Sequence, residues 1–310
     1  MSEAVLFPGQ GAQFEGMGKD WCEAFPSARR VFADSSRILE FSLEDACWSR
    51  GDEVNRTDVA QPGIFVVGAA IVGVLVERGL DARRAAMTAG LSLGEYTALW
   101  FAGSLAFEDA LRLVRVRGEA MQRASEKIPS GMMSLVGASE EQARALAAVG
   151  AREGICSVAN LNAPGQIVLS GEKRALAAVE AAAKDHGVRR VRSLAVAGGF
   201  HSECMRPASD ELARALAKVE IREPRVPFVT NVTGSPVKDP ETIRANLALQ
   251  VCAPTLWEKS MRWATGAGIL EFVEPGPGKV LAGLLAKIDP NAKVRAAAAP
   301  ADLEAAPSSG

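Results

Sequence analysis

Gly90-Leu91-Ser92-Leu93-Gly94 fits the pattern G-x-S-x-G, with the β-prone run Arg84-Ala-Ala-Met-Thr-Ala89 before it and the helix-compatible run Glu95 to Phe101 after it. A serine set between a strand and a helix N-terminus is the context of a nucleophile elbow. The sharp turn exposes the hydroxyl, the flanking glycines let neighbouring backbone pass closely, and the next main-chain N–H faces a developing oxyanion. Ser92 is therefore the candidate nucleophile, and the Leu93 amide a candidate oxyanion donor.

Toward the N-terminus, Ala4-Val-Leu-Phe7 is a short apolar run stopped by Pro8-Gly9, and Gly9-Gln-Gly-Ala-Gln13 follows as an amide-rich turn. Helical periodicity runs through Ala28 to Leu39, Gln61 to Arg78 and Glu108 to Arg123. Strands alternating with helices predict an α/β fold built on a parallel sheet.

Past about Ser130 the rhythm changes. Strands over Met132 to Val136, Ile155 to Ala159, Gln166 to Leu169 and Val188 to Val196 are interleaved with two helices. One covers Ser139 to Val149 with Ser139 as N-cap; the other covers Glu172 to His186 and is closed by Gly187. The order β-α-β-β-α-β is that of a ferredoxin-like unit. Its ends lie near each other, so it can be inserted in a loop of a larger domain. The expected organisation is a discontinuous core over 1–128 and 198–310 with a ferredoxin-like subdomain at 129–197. Pro300 to Gly310, rich in Ala, Pro, Ser and Gly, reads as a frayed tail.

Composition narrows the function classes. Hydrophobic residues make up 48% of the 310 and charged residues 23%, the balance of an ordinary folded domain. With 35 basic against 37 acidic side chains and no dense Lys/Arg block, nothing marks a nucleic-acid footprint, and an anionic substrate has to be met locally. Cys22, Cys47, Cys156, Cys204 and Cys252 are scattered, odd in number and without a C-x-x-C pair, which suits reduced thiols in a cytosol-like compartment. The start shows no basic n-region or signal-type apolar segment. The longest apolar stretch, Ile64 to Val76, reads as too short to span a bilayer and suits a buried helix.

A serine hydroxyl needs a base, and histidine titrates in the right range. The chain has two. His186 ends a helix just before Gly187, where an imidazole meets terminal carbonyls. His201, in Gly198-Gly-Phe-His-Ser202, lies between a strand and a helical run, from where it can reach a pocket. Gln10 follows the first strand at the functional edge of a parallel sheet, so its amide is either a turn residue or a carbonyl-orienting and oxyanion-hole group. Arg112, Arg115 and Arg117 share one helix, whose bland reading is a solvated basic face. Arg117 alone precedes a glycine, Gly118, which admits close approach of another group, so it is the candidate fork for a carboxylate.

These residues, with Phe7-Pro-Gly-Gln-Gly-Ala-Gln13, Thr57-Asp-Val-Ala-Gln-Pro62, Gly90-Leu-Ser-Leu-Gly-Glu-Tyr96, Arg117-Gly-Glu-Ala-Met-Gln122, Gly199-Phe-His-Ser202, Asn231-Val-Thr-Gly234, Gln250 to Trp257 and Glu274-Pro-Gly-Pro-Gly278, give a chain that resembles a known family over nearly its whole length. It is similar to the malonyl-CoA:acyl carrier protein transacylases of fatty acid synthesis and the acyltransferase domains of polyketide synthases. The resemblance implies an α/β-hydrolase-like core with a parallel sheet plus the inserted ferredoxin-like subdomain. It implies Ser92 as the acylated nucleophile, His201 as its base oriented by the main-chain carbonyl of Gln250, Gln10 and Leu93 at the oxyanion hole, and Arg117 on the malonyl carboxylate. Phe200, Gln61 and Asn160 are further substrate-binding candidates. Phe200 matches malonyl-selecting members, where serine goes with methylmalonyl. One departure is Leu91, where the commonest motif has histidine.

The implied reaction carries malonyl from malonyl-CoA to the phosphopantetheine thiol of acyl carrier protein through a Ser92 acyl-enzyme. It needs no cofactor and no metal. The expected enzyme is a cytoplasmic monomer with no nucleic-acid or membrane partner, and Lys127, Arg189 and Arg190 are candidate cations for an acidic carrier. Three other readings differ in what they require. A trans-acting polyketide acyltransferase, or one that hydrolyses unwanted acyl groups, differs in which carrier and which acyl-CoA give turnover, a serine esterase needs an acid between serine and histidine in chain order, and a docking module needs no Ser92.

Overall fold

Apolar runs and turn signals become ten strands and twelve α-helices in a computed structural model that describes residues 3–303. The chain runs from β1 (Ala4–Phe7) through α1 (Lys19–Ala24), α2 (Pro26–Leu39) and α3 (Leu43–Trp48) into α4 (Thr57–Glu77). Then come β2 (Thr88–Gly90), α5 (Gly94–Phe101) and α6 (Phe107–Lys127). Next are β3 (Ser130–Val136), α7 (Glu140–Gly150), β4 (Cys156–Ala163), β5 (Gln166–Glu172), α8 (Lys173–Ala182) and β6 (Arg190–Ser193). The chain continues with α9 (Arg206–Leu216), β7 (Phe228–Thr230), β8 (Ser235–Val237) and α10 (Pro240–Gln250). It closes with α11 (Trp257–Gly266), β9 (Glu271–Pro275), α12 (Val280–Ile288) and β10 (Lys293–Ala297).

The larger sheet has the order β10-β9-β1-β2-β7-β8, parallel throughout except for β8, which returns antiparallel on β7. Every residue of β1, β2 and β7 is buried, the pattern of central parallel strands covered on both faces. Because these three strands are neighbours and parallel, the loops that follow them emerge side by side at one edge. Those loops begin at Pro8, Leu91 and Asn231, so the sheet order brings together residues far apart in the chain.

The smaller sheet, β4-β5-β3-β6, is antiparallel throughout. Helices α7 and α8 pack on it through Leu146 and Val179 against Leu135 and Leu169. Ser139 caps α7 in a reciprocal capping box with Gln142, the N-cap expected from sequence.

Several expected bounds shift. The run Arg84 to Ala89 gives only β2, since pairing with β1 begins at Thr88. Helix α8 ends at Ala182, and turns carry the chain to Gly187. β6 is confined to Arg190–Ser193 and β4 extends to Ala163. Helix α4 starts at Thr57, a turn before Pro62. The proline forfeits only one bond near the helix start, so it does not mark the boundary.

At 21 residues with a mean hydropathy of 2.2 in its most apolar window, α4 is long and apolar enough to cross a membrane, which corrects the length argument. Burial decides its role instead, because 89% of that window lies inside the protein against α2 and α6. The tail also differs. Pro300–Leu303 forms a 3-10 turn in which Asp302 accepts from the Ala298 and Ala299 N–H groups, while 304–310 lie outside the described residues.

Candidate active site

Ser92 sits between β2 and α5 with φ 53°, a left-handed conformation that a residue with a Cβ adopts only under constraint. The constraint is visible. The Ser92 N–H donates to Asn231 Oδ1 at 2.6 Å and Asn231 Nδ2 donates to Gly90 O at 2.7 Å, so one amide clamps the turn from both ends. A Cβ on Gly94 would lie 2.2 Å from Phe7 O, so only glycine lets the elbow press against the end of β1. The Leu93 N–H takes no hydrogen-bond partner among the described residues and lies on the same turn as the hydroxyl.

His201 Nε2 lies 2.8 Å from Ser92 Oγ, and its Nδ1 lies 2.8 Å from the main-chain oxygen of Gln250. A carbonyl oxygen only accepts, so Nδ1 carries the proton and Nε2 presents its lone pair to the serine hydroxyl. Burial, reinforced by the charge of Arg117, holds the imidazole down to about 4, so the ring is neutral at neutral pH. His201 also has φ 58°, and its N–H is fixed by Val251 O at 3.1 Å, beside the end of α10.

Arg117 projects from α6 and is 1% exposed. Its Nη1 donates to Gln61 Oε1 at 2.7 Å, and its Nη2 donates to Ser92 Oγ at 2.9 Å and Gln250 Oε1 at 3.0 Å. Its Nε has no partner among the described residues, and its guanidinium carbon stands 5.9 Å from the Tyr96 ring centre. All its hydrogen bonds go to uncharged acceptors, which leaves a buried cation with capacity for an anion. Close approach at Gly118 is real, since a Cβ there would meet Thr57 O at 2.8 Å. Arg112 and Arg115 instead pair with Glu108 and Glu119 on the helix surface.

Gln61, fully buried, links Arg117 to Gln10, whose Oε1 it approaches at 3.4 Å; Gln10 Nε2 in turn reaches Thr57 Oγ1 at 3.3 Å. Phe200 is buried in the core next to His201. Asn160 donates to Thr255 Oγ1 at 2.6 Å, and its hydrogen bonding does not reach the Ser92 cluster. His186 stands at the end of the α8 turns with its main-chain oxygen held by Gln142, away from Ser92.

Sequence reading left Glu95, Asn231 and the side chain of Gln250 without roles. Glu95 is fully buried. Its Oε1 accepts the Asn231 N–H at 2.6 Å and its Oε2 accepts from Gln250 Nε2, which also donates to Ser92 O at 3.0 Å. Burial pushes this carboxyl up to about 7 against those hydrogen bonds and the Arg117 charge. The five cysteines are free thiols, and burial pushes Cys22 and Cys47 up to about 12. Among the described residues no group of three or more His, Cys, Asp or Glu is placed to hold a metal.

The family model for the acyl transferase domain matches residues 5–274. The chain is 37% identical over 305 residues to the malonyl CoA-acyl carrier protein transacylase of Bacillus subtilis, covering 98% of this chain and 95% of that protein. Among solved structures, it superposes on the acyl-carrier-protein-S-malonyltransferase of Bartonella henselae with a TM-score of 0.94 at 36% identity, over 98% of each chain. It also superposes on a malonyl-transacylase solved in complex with its type II polyketide acyl-carrier protein, with a TM-score of 0.93 at 35% identity, over 98% of each chain. The chain therefore belongs to the acyl transferase domain family and, within it, to the malonyl CoA-acyl carrier protein transacylases.

Proposed function

We propose that the chain transfers a malonyl group from malonyl-CoA to the phosphopantetheine thiol of an acyl carrier protein for fatty acid synthesis. The observation that carries this reading is the convergence of His201 Nε2 and Arg117 Nη2 on one oxygen, Ser92 Oγ, at 2.8 and 2.9 Å. One partner accepts the serine proton, and the other is a buried cation suited to a substrate carboxylate.

In the first half-reaction Ser92 Oγ attacks the malonyl thioester carbon as its proton passes to His201 Nε2. The oxyanion is received by the Leu93 N–H and Gln10. The tetrahedral intermediate collapses, the carbon–sulfur bond breaks, and the CoA sulfur leaves with the proton from His201. In the second half-reaction the carrier thiol gives its proton to Nε2 and attacks the Ser92 ester, restoring the hydroxyl. Exchanging one thioester for another is nearly isoenergetic, so the cycle needs no cofactor. An uncharged acetyl group would leave Arg117 without a counter-charge, which disfavours it.

In this reading 1–128 and 198–310 form the α/β-hydrolase-like core and 129–197 the ferredoxin-like subdomain. The strand order β4-β5-β3-β6 supports the latter. The enzyme acts in the cytoplasm as a monomer, and Lys127, Arg189 and Arg190 meet the acidic carrier. The serine-esterase alternative requires an acid on the histidine, and here the Nδ1 partner is a main-chain carbonyl. Service to a polyketide carrier is the second reading, favoured by the likeness to a transacylase solved with such a carrier.

Intact-protein mass spectrometry after brief exposure to malonyl-CoA, acetyl-CoA and methylmalonyl-CoA tests the reading. A malonyl adduct on the wild type that is absent from Ser92→Ala supports it, and no adduct from any acyl-CoA sinks it. Turnover with fatty-acid and polyketide carriers then separates the two pathways.

A further inference from the structure

Resting on that reading, we infer that Glu95 is a positioning residue whose two carboxylate oxygens fix Asn231 and Gln250, and through them the nucleophile turn, the base and the carboxylate clamp at once. The donor and acceptor inventory compels this direction. Arg117 has only donors, so the Gln250 atom facing it is Oε1. Gln250 Nε2 must then face acceptors, and the two present are Ser92 O and Glu95 Oε2.

Glu95 Oε1 is already committed to the Asn231 N–H, and Asn231 holds the Ser92 N–H and Gly90 O. Glu95 accepts from both the Asn231 N–H and Gln250 Nε2, and the Thr230 hydroxyl beside it also favours the anion, so the network is most complete while Glu95 is ionised. The main-chain oxygen of the same Gln250 orients His201. Glu95 thus occupies the place an acid has in chain order between serine and histidine, yet acts one residue removed from the imidazole.

Two titratable groups, Arg117 on α6 and Tyr96 on α5, interact with Glu95 through charge. Arg117 favours the anion, and the Tyr96 phenol, whose own ionisation burial pushes well up, stays neutral beside it. Burial nevertheless raises the Glu95 carboxyl to about 7, so within the physiological range protonation weakens its acceptance from Gln250 Nε2, the Asn231 N–H and the Thr230 hydroxyl.

Glu95→Gln is the isosteric test. Its amide sets a donor against Gln250 Nε2, and flipping Gln250 sets a donor against Arg117 instead. The measurement is the rate of malonyl adduct formation by rapid-quench mass spectrometry from pH 5 to 9, for wild type, Glu95→Gln and Ser92→Ala, with unfolding temperature as the check on folding.

The expected result is a wild-type rate that falls tenfold per pH unit below about 7, a Glu95→Gln rate lower by about 30-fold at pH 8, and loss of the acid limb in that variant. A wild type with no limb near neutrality, a Glu95→Gln rate within threefold of wild type, or a slowed variant that keeps the limb overturns the inference. The wild-type profile decides the matter if the variant does not fold. An adduct that survives in Ser92→Ala brings down the acyl-enzyme reading itself, a result distinct from the failure of Glu95 alone.

Discussion

Arg117 Nη2 donates to Ser92 Oγ across 2.9 Å, so the cation proposed to hold a substrate carboxylate is hydrogen-bonded to the proposed nucleophile before any substrate arrives. The contact stabilises developing negative charge on Oγ, and an arriving carboxylate competes for the same nitrogen. Arg117→Ala removes both effects. Charge-assisted hydrogen bonds of this kind contribute roughly 1.5–3 kcal/mol, so malonyl adduct formation should slow by about 10- to 150-fold. The acetyl rate should fall less, since acetyl never used the clamp. Competition between malonyl-CoA and acetyl-CoA, read by adduct mass, checks the change in selectivity, and an unchanged malonyl preference would remove Arg117 from the clamp.

Ser92 at φ 53° carries backbone strain that a Cβ makes costly, on the order of 1–2 kcal/mol. Ser92→Gly should therefore be more stable than Ser92→Ala by about that amount, with both lacking adduct formation. Chemical denaturation of the two variants measures the difference. Equal stabilities would mean that the turn relaxes once the hydroxyl is gone.

Asn231 ties the elbow shut with one acceptor and one donor, and the two halves are separable. Asn231→Asp keeps an acceptor for the Ser92 N–H but faces Gly90 O with a second acceptor. Asn231→Ala strands both buried groups. Each unsatisfied group costs about 1–3 kcal/mol, so the alanine variant should lose roughly 2–6 kcal/mol of stability. Adduct formation in whatever fraction remains folded should fall with it, because the turn that aims Oγ loses its clamp. Full activity in folded Asn231→Ala would show that the strand and helix alone hold the elbow.

The parallel core and the elbow were legible because both rest on local signals. Fully apolar short runs stopped by Gly and Pro mark buried strands, and a glycine two residues after the serine is needed where Phe7 O approaches Gly94. His201 was reachable by elimination, since His186 is the only other imidazole. Glu95 and Asn231 were not, although both lie inside quoted motifs. A glutamate one residue into a helix reads as a solvated or dipole-complementing side chain. Only the adjacency of β2 and β7, a non-local pairing, brings Asn231 over Gly90 and turns Glu95 inward. The start of α4 was missed because its first turns carry the polar Thr57, Asp58 and Gln61, which show no apolar period until the fold buries Thr57 and Gln61.

Two buried groups of the site titrate in opposite senses, and this gives a stability test that needs no substrate. His201 is held at about 4 from an ordinary 6.5, so between those values the unfolded chain binds more protons, and the stability it contributes is present above 6.5 and lost as pH falls through 4. Glu95 is raised from 4.5 to about 7, so its contribution is present below 4.5 and lost as pH rises through 7. Each amounts to about 3 kcal/mol at the tenfold equivalence of 1.36 kcal/mol, and over the shared window the two nearly offset. Subtracting variant from wild type isolates each. Against Glu95→Gln, the wild type should lose about 3 kcal/mol between pH 4.5 and 7, and against His201→Gln it should gain about the same between pH 4 and 6.5. Urea unfolding across that range measures both difference curves. Opposite slopes mean that burial favours the neutral form of both groups, leaving an imidazole that is neutral at working pH and a carboxyl that ionises only near 7; flat curves mean that neither group is held away from its unfolded behaviour, and the neutral-imidazole assignment of His201 falls with them.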